Sequence, residues 1–481
     1  MEMLLHALLL VPAAAGALAF VWRRPGAARF LLPAGAAAHA ALTAAAWLVR
    51  PASAHPNWLA LDDTGLLFLS IASALFLAAA AYAPGYLRGR DRDARTMSEP
   101  LFAGCALLFL ASMTLVTLSR HFGLLWVAVE ATTLASAPLI YYHRDARSLE
   151  ATWKYLILCS VGIALALLGT FSLSVAGEGA GLACLSVDEL VRRAAGLNPT
   201  WLQAAALLLL VGYGTKMGLA PMHTWLPDAH SEAPSMVSAL LSGALLNCAF
   251  LGLLRVRQVV VAAGLQAFDA GAFLVLGVLS VGLAWVFILR QADFKRLLAY
   301  SSVEHMGLLA IGIGLGGGGP YATLFHALNH SLVKAALFLL AGNLLTAYGS
   351  KAVEDVRGAL RVAPRTARFW LVGLFAITGF PPFGVFVGKF LLLRAAVQAG
   401  RIGLAGLLAV LLAMIFIAMS ARMLPMVFGP APGNRSPVRE RWGAVLPSLV
   451  LLLISLALGL WLPAPLADVL ARAARTLGGA P

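Results

Sequence analysis

A small set of ionisable side chains falls inside apolar stretches of this 481-residue sequence, where charge is costly and usually retained for a role. Glu130 lies midway along LLWVAVEATTLASAPL, and Lys216 stands five residues ahead of Pro221 in GTKMGLAPMHTWLPDAHSEAPS. Glu304 and His305 are adjacent in YSSVEHMGLL. His326, His330 and Lys334 recur at i, i+4 and i+8, and Lys389 follows Pro381 and Pro382 in ITGFPPFGVFVGKF. Side chains at that spacing line one helical face over two turns. Imidazole titrates near neutrality and both donates and accepts, so the combination is what a proton wire requires.

Each of these residues also has a plainer explanation. Lys216 either snorkels to the interface, is tied to a backbone carbonyl, or carries a proton. Its position, about ten residues from either end of its apolar run and beside a break, favours the last. Glu130 is read as its partner. Burial disfavours the charged form of both groups and pairing restores it, so the pair titrates as a unit. A structural ion pair and a relay then differ only in whether the pair can come apart. The histidine row is read as a wet polar stripe rather than a set of satisfied core residues. Zinc binding is the competitor, because His326 and His330 have helical ligand spacing; the lysine one turn on and the lack of an HExxH carboxylate weaken it. His223, Asp228, His230 and Glu232 could likewise gather a metal, but are read as polarising a wet entrance. Arg394 and Arg422, near the ends of apolar runs, are read as snorkelling. GIGLGG, residues 312–317, matches a nucleotide-binding glycine pattern, yet no strand precedes it and no βαβ unit surrounds it.

The elements that must position these groups are membrane helices. Hydrophobic residues make up 61% of the chain and charged ones 12%, with a mean hydropathy of +0.87, whereas soluble domains carry about 25% charged residues. The net charge of +14 is assigned to cytoplasmic flanks and not to nucleic-acid binding. Fourteen spans are read, at 3–21, 28–49, 63–85, 100–119, 121–142, 151–175, 202–226, 235–258, 267–290, 297–315, 320–345, 366–395, 402–424 and 443–463. All must be helical, since lipid cannot satisfy open backbone groups. The first follows no basic segment (Arg23 and Arg24 come after it), so it reads as a retained helix and not a signal peptide. Loops after odd-numbered spans hold 21 basic residues against 9 on the other side. By the positive-inside rule both termini face away from the cytoplasm. Cys105, Cys159, Cys184 and Cys248 form no CxxC, so iron–sulfur ligation in this chain is not expected.

Two spans read as broken: the seventh at Pro221 and the twelfth at Pro381 and Pro382, where proline removes an amide donor and frees carbonyls. Lys216 precedes its break and Lys389 follows its own. That mirror arrangement points to inverted repeats of five helices, spans 4–8 and 9–13. The chain then divides into an N-terminal three-helix segment (1–99), a first repeat (100–258), a second repeat (259–424) and a C-terminal helix and tail (425–481). The short tail is expected to supply no lateral helix to a neighbour.

With these residues assembled, the sequence resembles the antiporter-like membrane subunits shared by respiratory complex I, Mrp-type antiporters and group-4 membrane-bound hydrogenases. The blocks GTKMGLAPMHTWLPDAHSEAPS, KRLLAYSSVEHMG, FHALNHSLVKAALFLLAGN and GFPPFGVFVGKF carry the resemblance, in the expected order. SALLSGALLNCAFLGLLR and SSVEHMG look most like the F-type membrane subunits of hydrogenase-4. The resemblance implies an all-α polytopic fold of about fourteen transmembrane helices with a hydrated central axis of charge. It also implies proton-translocation roles for Glu130, Lys216, His326, His330, Lys334 and Lys389. Asn247, Glu304, His305, His223 and Asp228 would be auxiliary polar groups. One departure stands out: where complex I relatives carry a lysine or histidine in the eighth helix, this chain has Asn247, or Ser242 earlier on, and neither can store a proton.

The resulting expectation is a non-redox, multi-pass subunit in a bacterial cell membrane, binding no metal or cofactor itself. Its partners would be other membrane subunits of the family and a peripheral redox module with iron–sulfur clusters and nickel–iron or flavin. Alternatives are a cation/proton antiporter subunit carrying sodium, the energising subunit of an inorganic-carbon uptake complex, and a scaffold without pumping.

Overall fold

A computed structural model of the chain describes residues 2–22, 25–51, 55–87, 96–179, 181, 184–431 and 436–479. Arg23, Arg24, Arg88, Arg90, Arg92, Arg95 and Arg435, which entered the orientation count, lie outside the described residues.

The described chain is helical, with only isolated β-bridges between loops. First come α1 (Glu2–Val21), α2 (Pro25–Val49), α3 (Asp63–Leu87), α4 (Glu99–Leu118), α5 (Phe122–Ile140) and α6 (Ala146–Glu178). Next are α7 (Val187–Arg192), α8 (Pro199–Met217), α9 (Trp225–Glu232), α10 (Ser235–Leu240) and α11 (Leu246–Ala262). A π-helical turn, Leu241–Leu245, joins α10 to α11. Then follow α12 (Gln266–Leu289), α13 (Phe294–Leu315), α14 (Gly319–Tyr348), α15 (Ala359–Val362), α16 (Pro364–Thr378), α17 (Gly384–Gln398), α18 (Ile402–Phe428), α19 (Trp442–Leu460) and α20 (Ala464–Thr476). Among the described residues, twelve helices are long and apolar enough to cross a membrane. The seventh and twelfth spans expected from the sequence are not among them; the breaks divide the seventh into α8 (19 residues) and α9 (8 residues), and the twelfth into α16 and α17 (15 residues each).

Local sequence sets the helix ends. Asp145 caps α6 reciprocally with Ser148, Asn198 accepts from two amides at the start of α8 ahead of Pro199, and Asp293 does the same for α13. Gly218 (φ +84°) and Gly379 (φ +87°) end α8 and α16 in the left-handed region that favours glycine. Both breaks therefore begin with a glycine turn and are completed by proline.

Burial sorts the helices into an inner and an outer set. The stretch Ser235–Ala262 and α13 are almost wholly buried, and α14 is mostly so. The outer helices turn apolar side chains outward; on α6, Trp153, Ile157, Val161 and Leu168 form an exposed stripe, as a lipid-facing surface requires. The tail is structured: α20 buries Val469, Leu470, Ala473 and Ala474 while packing on α3 and α14. Its Arg472 pairs with Asp63 at 2.7 Å. This helix lies beyond the fourteen expected spans, and its apolar face is taken up by its own chain.

Candidate functional site

Lys216 lies in the last turn of α8 and is fully buried. Its Nζ donates to Thr133 Oγ1 at 2.6 Å and to the Tyr155 hydroxyl at 2.7 Å. Thr133 donates in turn to Glu130 Oε2 at 3.0 Å. The expected direct pair of Glu130 and Lys216 is thus corrected: a threonine hydroxyl stands between them. Thr133 is three residues beyond Glu130 on α5, so both point from one face, and the shorter side chain reaches the lysine while Glu130 remains half-buried. On the other side Tyr155 is 2.7 Å from Ser136 Oγ, which donates to the Thr132 carbonyl. Lys216 is therefore the junction of two hydroxyl chains.

At the break after α8 the turn itself and its neighbours satisfy the backbone, the Gly218 and Leu219 amides donating to Thr215 O and Gly214 O. Trp225 Nε1 donates to Thr215 O at 2.9 Å, and Ser280 Oγ accepts from Ala220 N at 2.9 Å. Lys216 belongs to the last turn of α8, the helix end where a cation is favoured.

The second break repeats the arrangement from the opposite side. Lys389, on α17, reaches back to the end of α16 and donates to Ile377 O at 3.4 Å and Thr378 O at 3.2 Å. It also pairs with Glu304 Oε1 at 2.8 Å. Glu304 is 1% exposed and Lys389 6% exposed, so a full ion pair sits inside the bundle. Glu304 is consequently a direct partner of the lysine rather than an auxiliary group near it.

Histidines and a third lysine occupy the region between. His305 Nδ1 is 2.9 Å from His326 Nε2, and the rings of His305 and His330 are 4.6 Å apart between centroids. Lys334 Nζ donates to Leu298 O at 2.6 Å. All four side chains are fully buried. His326 Nδ1, His305 Nε2 and both ring nitrogens of His330 have no protein hydrogen-bond partner among the described residues. Buried polar atoms of this kind are ordinarily satisfied by water. No group of three or more histidine, cysteine, aspartate or glutamate side chains among the described residues is arranged to hold a metal ion.

The eighth span connects the two ends. Within its π-turn the Gly243 carbonyl accepts from Asn247 Nδ2 at 2.8 Å; the same amide donates to Ser331 Oγ on α14 at 2.7 Å. Ser242, within the turn, is 2.8 Å from Ser302 on α13. Turns of π geometry recur at functional positions because they re-aim side chains. Here Asn247 and Ser242 both reach hydroxyls on helices that carry the histidines.

The remaining candidates separate by depth. His230 is buried with its ring stacked on Phe338 at 4.9 Å, and His223 lies in the break beside Tyr300 and Phe287. Asp228 pairs with Arg296 and with Lys154, and Glu232 with Lys351. These two acids belong to an ion-pair rim at the surface. Pro221, Pro381 and Pro382 lie between the helices at the two breaks. Of the snorkelling candidates, Arg422 donates to Leu289 O at 3.0 Å.

Several participants carry no signal in the sequence. Thr133, Tyr155, Ser136, Ser302 and Ser331 are uncharged, and hydroxyls are common in membrane helices, so only their spacing from Glu130 or His330 could have singled them out. A second cluster joins Asp62 to Arg255 and Arg120, with Arg120 also pairing Asp188. Burial alone would raise the Asp62 carboxyl; the two guanidiniums overcome it and hold the group well below the usual carboxylate range. His39, fully buried between Ser73 and Thr114, was likewise not identified.

Comparison with known proteins places this geometry in context. The chain is 39% identical over 363 residues to the hydrogenase-4 component F homolog of Methylacidiphilum infernorum (isolate V4), covering 74% of this chain and 75% of that protein. It is 31% identical to NADH-quinone oxidoreductase subunit N of Halorhodospira halophila (strain DSM 244 / SL1), covering 82% of each. A subunit in the structure of the Mrp complex from Dietzia sp. DQ12-45-1b superposes with a TM-score of 0.87 over 99% of this chain and 98% of its own, at 22% identity, which speaks to the fold alone. Residues 119–417 match the membrane family described as NADH:quinone oxidoreductase/Mrp antiporter, and the chain belongs to that family.

Proposed function

We propose that this chain is a proton-translocating membrane subunit of a respiratory or hydrogenase complex, driven by electron transfer in partner subunits. The observation that carries the reading is the buried series of Lys216, the three histidines, Lys334 and the Lys389–Glu304 pair, with Glu130 joined to Lys216 through Thr133. Oxidoreductase and hydrogenase-4 names among the relatives support a redox driver.

In this scheme Glu130 stabilises the Lys216 ammonium by way of the Thr133 hydroxyl. When a neighbouring subunit draws Glu130 away, Thr133 loses its acceptor and the ammonium loses its nearest anion. The charged form is then disfavoured in a low-dielectric site. The proton leaves toward Lys334 and the histidines, with Ser242, Asn247, Ser302 and Ser331 orienting water across the middle. It is released past Lys389, whose ion pair with Glu304 opens and closes in step.

Further parts of the reading rest on the sequence. Counting each broken helix as one crossing gives fourteen spans. The two breaks, with a lysine at the carbonyl end of each first half, support inverted repeats at 100–258 and 259–424 between the flanking segments 1–99 and 425–481. The chain would reside in a bacterial cell membrane with both termini outside the cytoplasm. It would bind sister membrane subunits and a peripheral module holding iron–sulfur clusters with nickel–iron or flavin.

Purification of the tagged chain in mild detergent, with mass spectrometry of its companions, tests the driver. Recovery of a redox module is expected. Recovery of antiporter-type subunits alone, with sodium-dependent proton flux, or of a zinc-dependent hydratase, would replace it.

A further inference from the structure

A basic pocket of about 550 Å³ opens where α16 begins and α19 enters the membrane, lined by Pro364, Arg365, Val438, Arg439, Glu440, Arg441 and Trp442. Three guanidiniums face it against one carboxylate. That carboxylate is already engaged: Glu440 Oε2 and Oε1 accept from the amides of Arg365 and Thr366 at 2.7 and 2.8 Å, capping α16. The Arg365 guanidinium lies 4.5 Å over the Trp442 ring and donates to the Glu440 carbonyl. Arg439 and Arg441 are exposed, and neither forms an ion pair among the described residues.

Apolar surface continues from this pocket. Trp442 is 55% exposed and begins α19, and Leu446, Val450 and Leu453 stand exposed below it. Successive four- and three-residue steps put them on one helical face. Tryptophan at a span end marks the headgroup level of a membrane. An unpaired cluster of arginines therefore sits at that level, directly above a lipid-facing stripe.

We propose that this pocket binds the phosphodiester headgroup of an anionic phospholipid, held by Arg365, Arg439 and Arg441, with an acyl chain lying along Trp442, Leu446, Val450 and Leu453. Arginine forks match phosphate oxygens, and Trp442 fixes the Arg365 fork by stacking. The site is separate from the buried charge series and does not depend on its function.

Fluorescence of Trp442 reads the site in the full-length chain reconstituted into phosphatidylcholine vesicles. The emission lost in Trp442→Phe isolates the signal from the other tryptophans. Phosphatidylglycerol with brominated acyl chains should quench that component at a mole fraction at least fivefold lower than brominated phosphatidylcholine does. In Arg439→Gln/Arg441→Gln, which keeps Arg365, the preference should fall at least fivefold, since each basic side chain near a membrane surface contributes roughly fivefold in affinity for anionic lipid. Both arginines are exposed, so the variant keeps the fold. Equal quenching by the two lipids, or an unchanged preference in the double variant, would overturn the proposal. So would loss of the preference in millimolar inorganic phosphate, which would mark a site for free anions.

Discussion

Lys389 and Glu304 form an ion pair 2.8 Å long inside the helix bundle, and the same lysine nitrogen rests against the last carbonyls of α16. A buried pair of this kind contributes little net stability when intact but costs about 3–5 kcal/mol when one partner is removed. Glu304→Gln should therefore lower the thermal stability of the purified protein markedly, and so should Lys389→Met. The double variant Glu304→Gln/Lys389→Met should recover most of that loss, yet conduct no protons. Thermal melts and proton uptake measured on the same preparations separate the two effects. Additive destabilisation in the double variant would mean that the pair is not an energetic unit.

The hydroxyl between Glu130 and Lys216 makes a second prediction. If Glu130 acts through Thr133, then Thr133→Val should reduce proton translocation by tenfold or more, close to the effect of Glu130→Gln. Thr133→Ser, which keeps the hydroxyl, should stay within about twofold of wild type. Equal activity of the valine and serine variants in vesicles would show that the glutamate reaches the lysine by another route.

Asn247 bridges the eighth span to Ser331 without offering a titratable group. Asn247→Leu should remove the donor to the Gly243 carbonyl and to Ser331 Oγ, which keeps its bond to Ala327 O, costing about 1–3 kcal/mol of stability. It should also slow proton transfer between the two lysine regions more than it perturbs either one. Asn247→His should restore transfer. An Asn247→Leu chain that pumps at the wild-type rate would remove this helix from the path.

Asp62 supplies a pH prediction away from the site. Its carboxyl is held below the ordinary range by Arg255 and Arg120. A group with a depressed folded value stabilises above its unfolded value, near pH 4, and that stabilisation is lost only as pH falls through the folded one. Wild type should therefore hold its melting temperature better than Asp62→Asn at pH 7 and at pH 5. The gap should close only under strongly acidic conditions. A gap that is already closed at pH 5 would contradict the assigned direction.

Much of the architecture was legible because membrane constraints are severe. Spans could be read from apolar length, and the breaks at Pro221 and at Pro381 and Pro382 from residue chemistry, since lipid forbids most alternatives. The charged members of the site were legible for the same reason: Lys216, Glu304 and Lys389 are conspicuous where charge is costly. What the sequence hid was pairing. Nothing in spacing alone distinguishes a Glu130–Lys216 contact from one relayed by Thr133, because the difference lies in how α5 and α8 are rotated against each other. The Asp62–Arg255 bridge joins residues 193 positions apart, and the π-turn at Leu241–Leu245 leaves no local signature. The α20 helix does carry a helical pattern, Leu466, Val469, Leu470, Ala473 and Leu477, but the pattern alone does not show that this face docks on α3 and α14.

The central claim is that Lys216 carries the translocated proton. Its most direct test is acidification of vesicles containing the assembled complex, energised by the donor its redox module oxidises, with wild-type or Lys216→Ala chain and electron transfer followed in parallel. The account predicts donor-driven proton movement in the wild type and its loss in Lys216→Ala, the chain remaining assembled. Undiminished proton movement per electron in Lys216→Ala would contradict it.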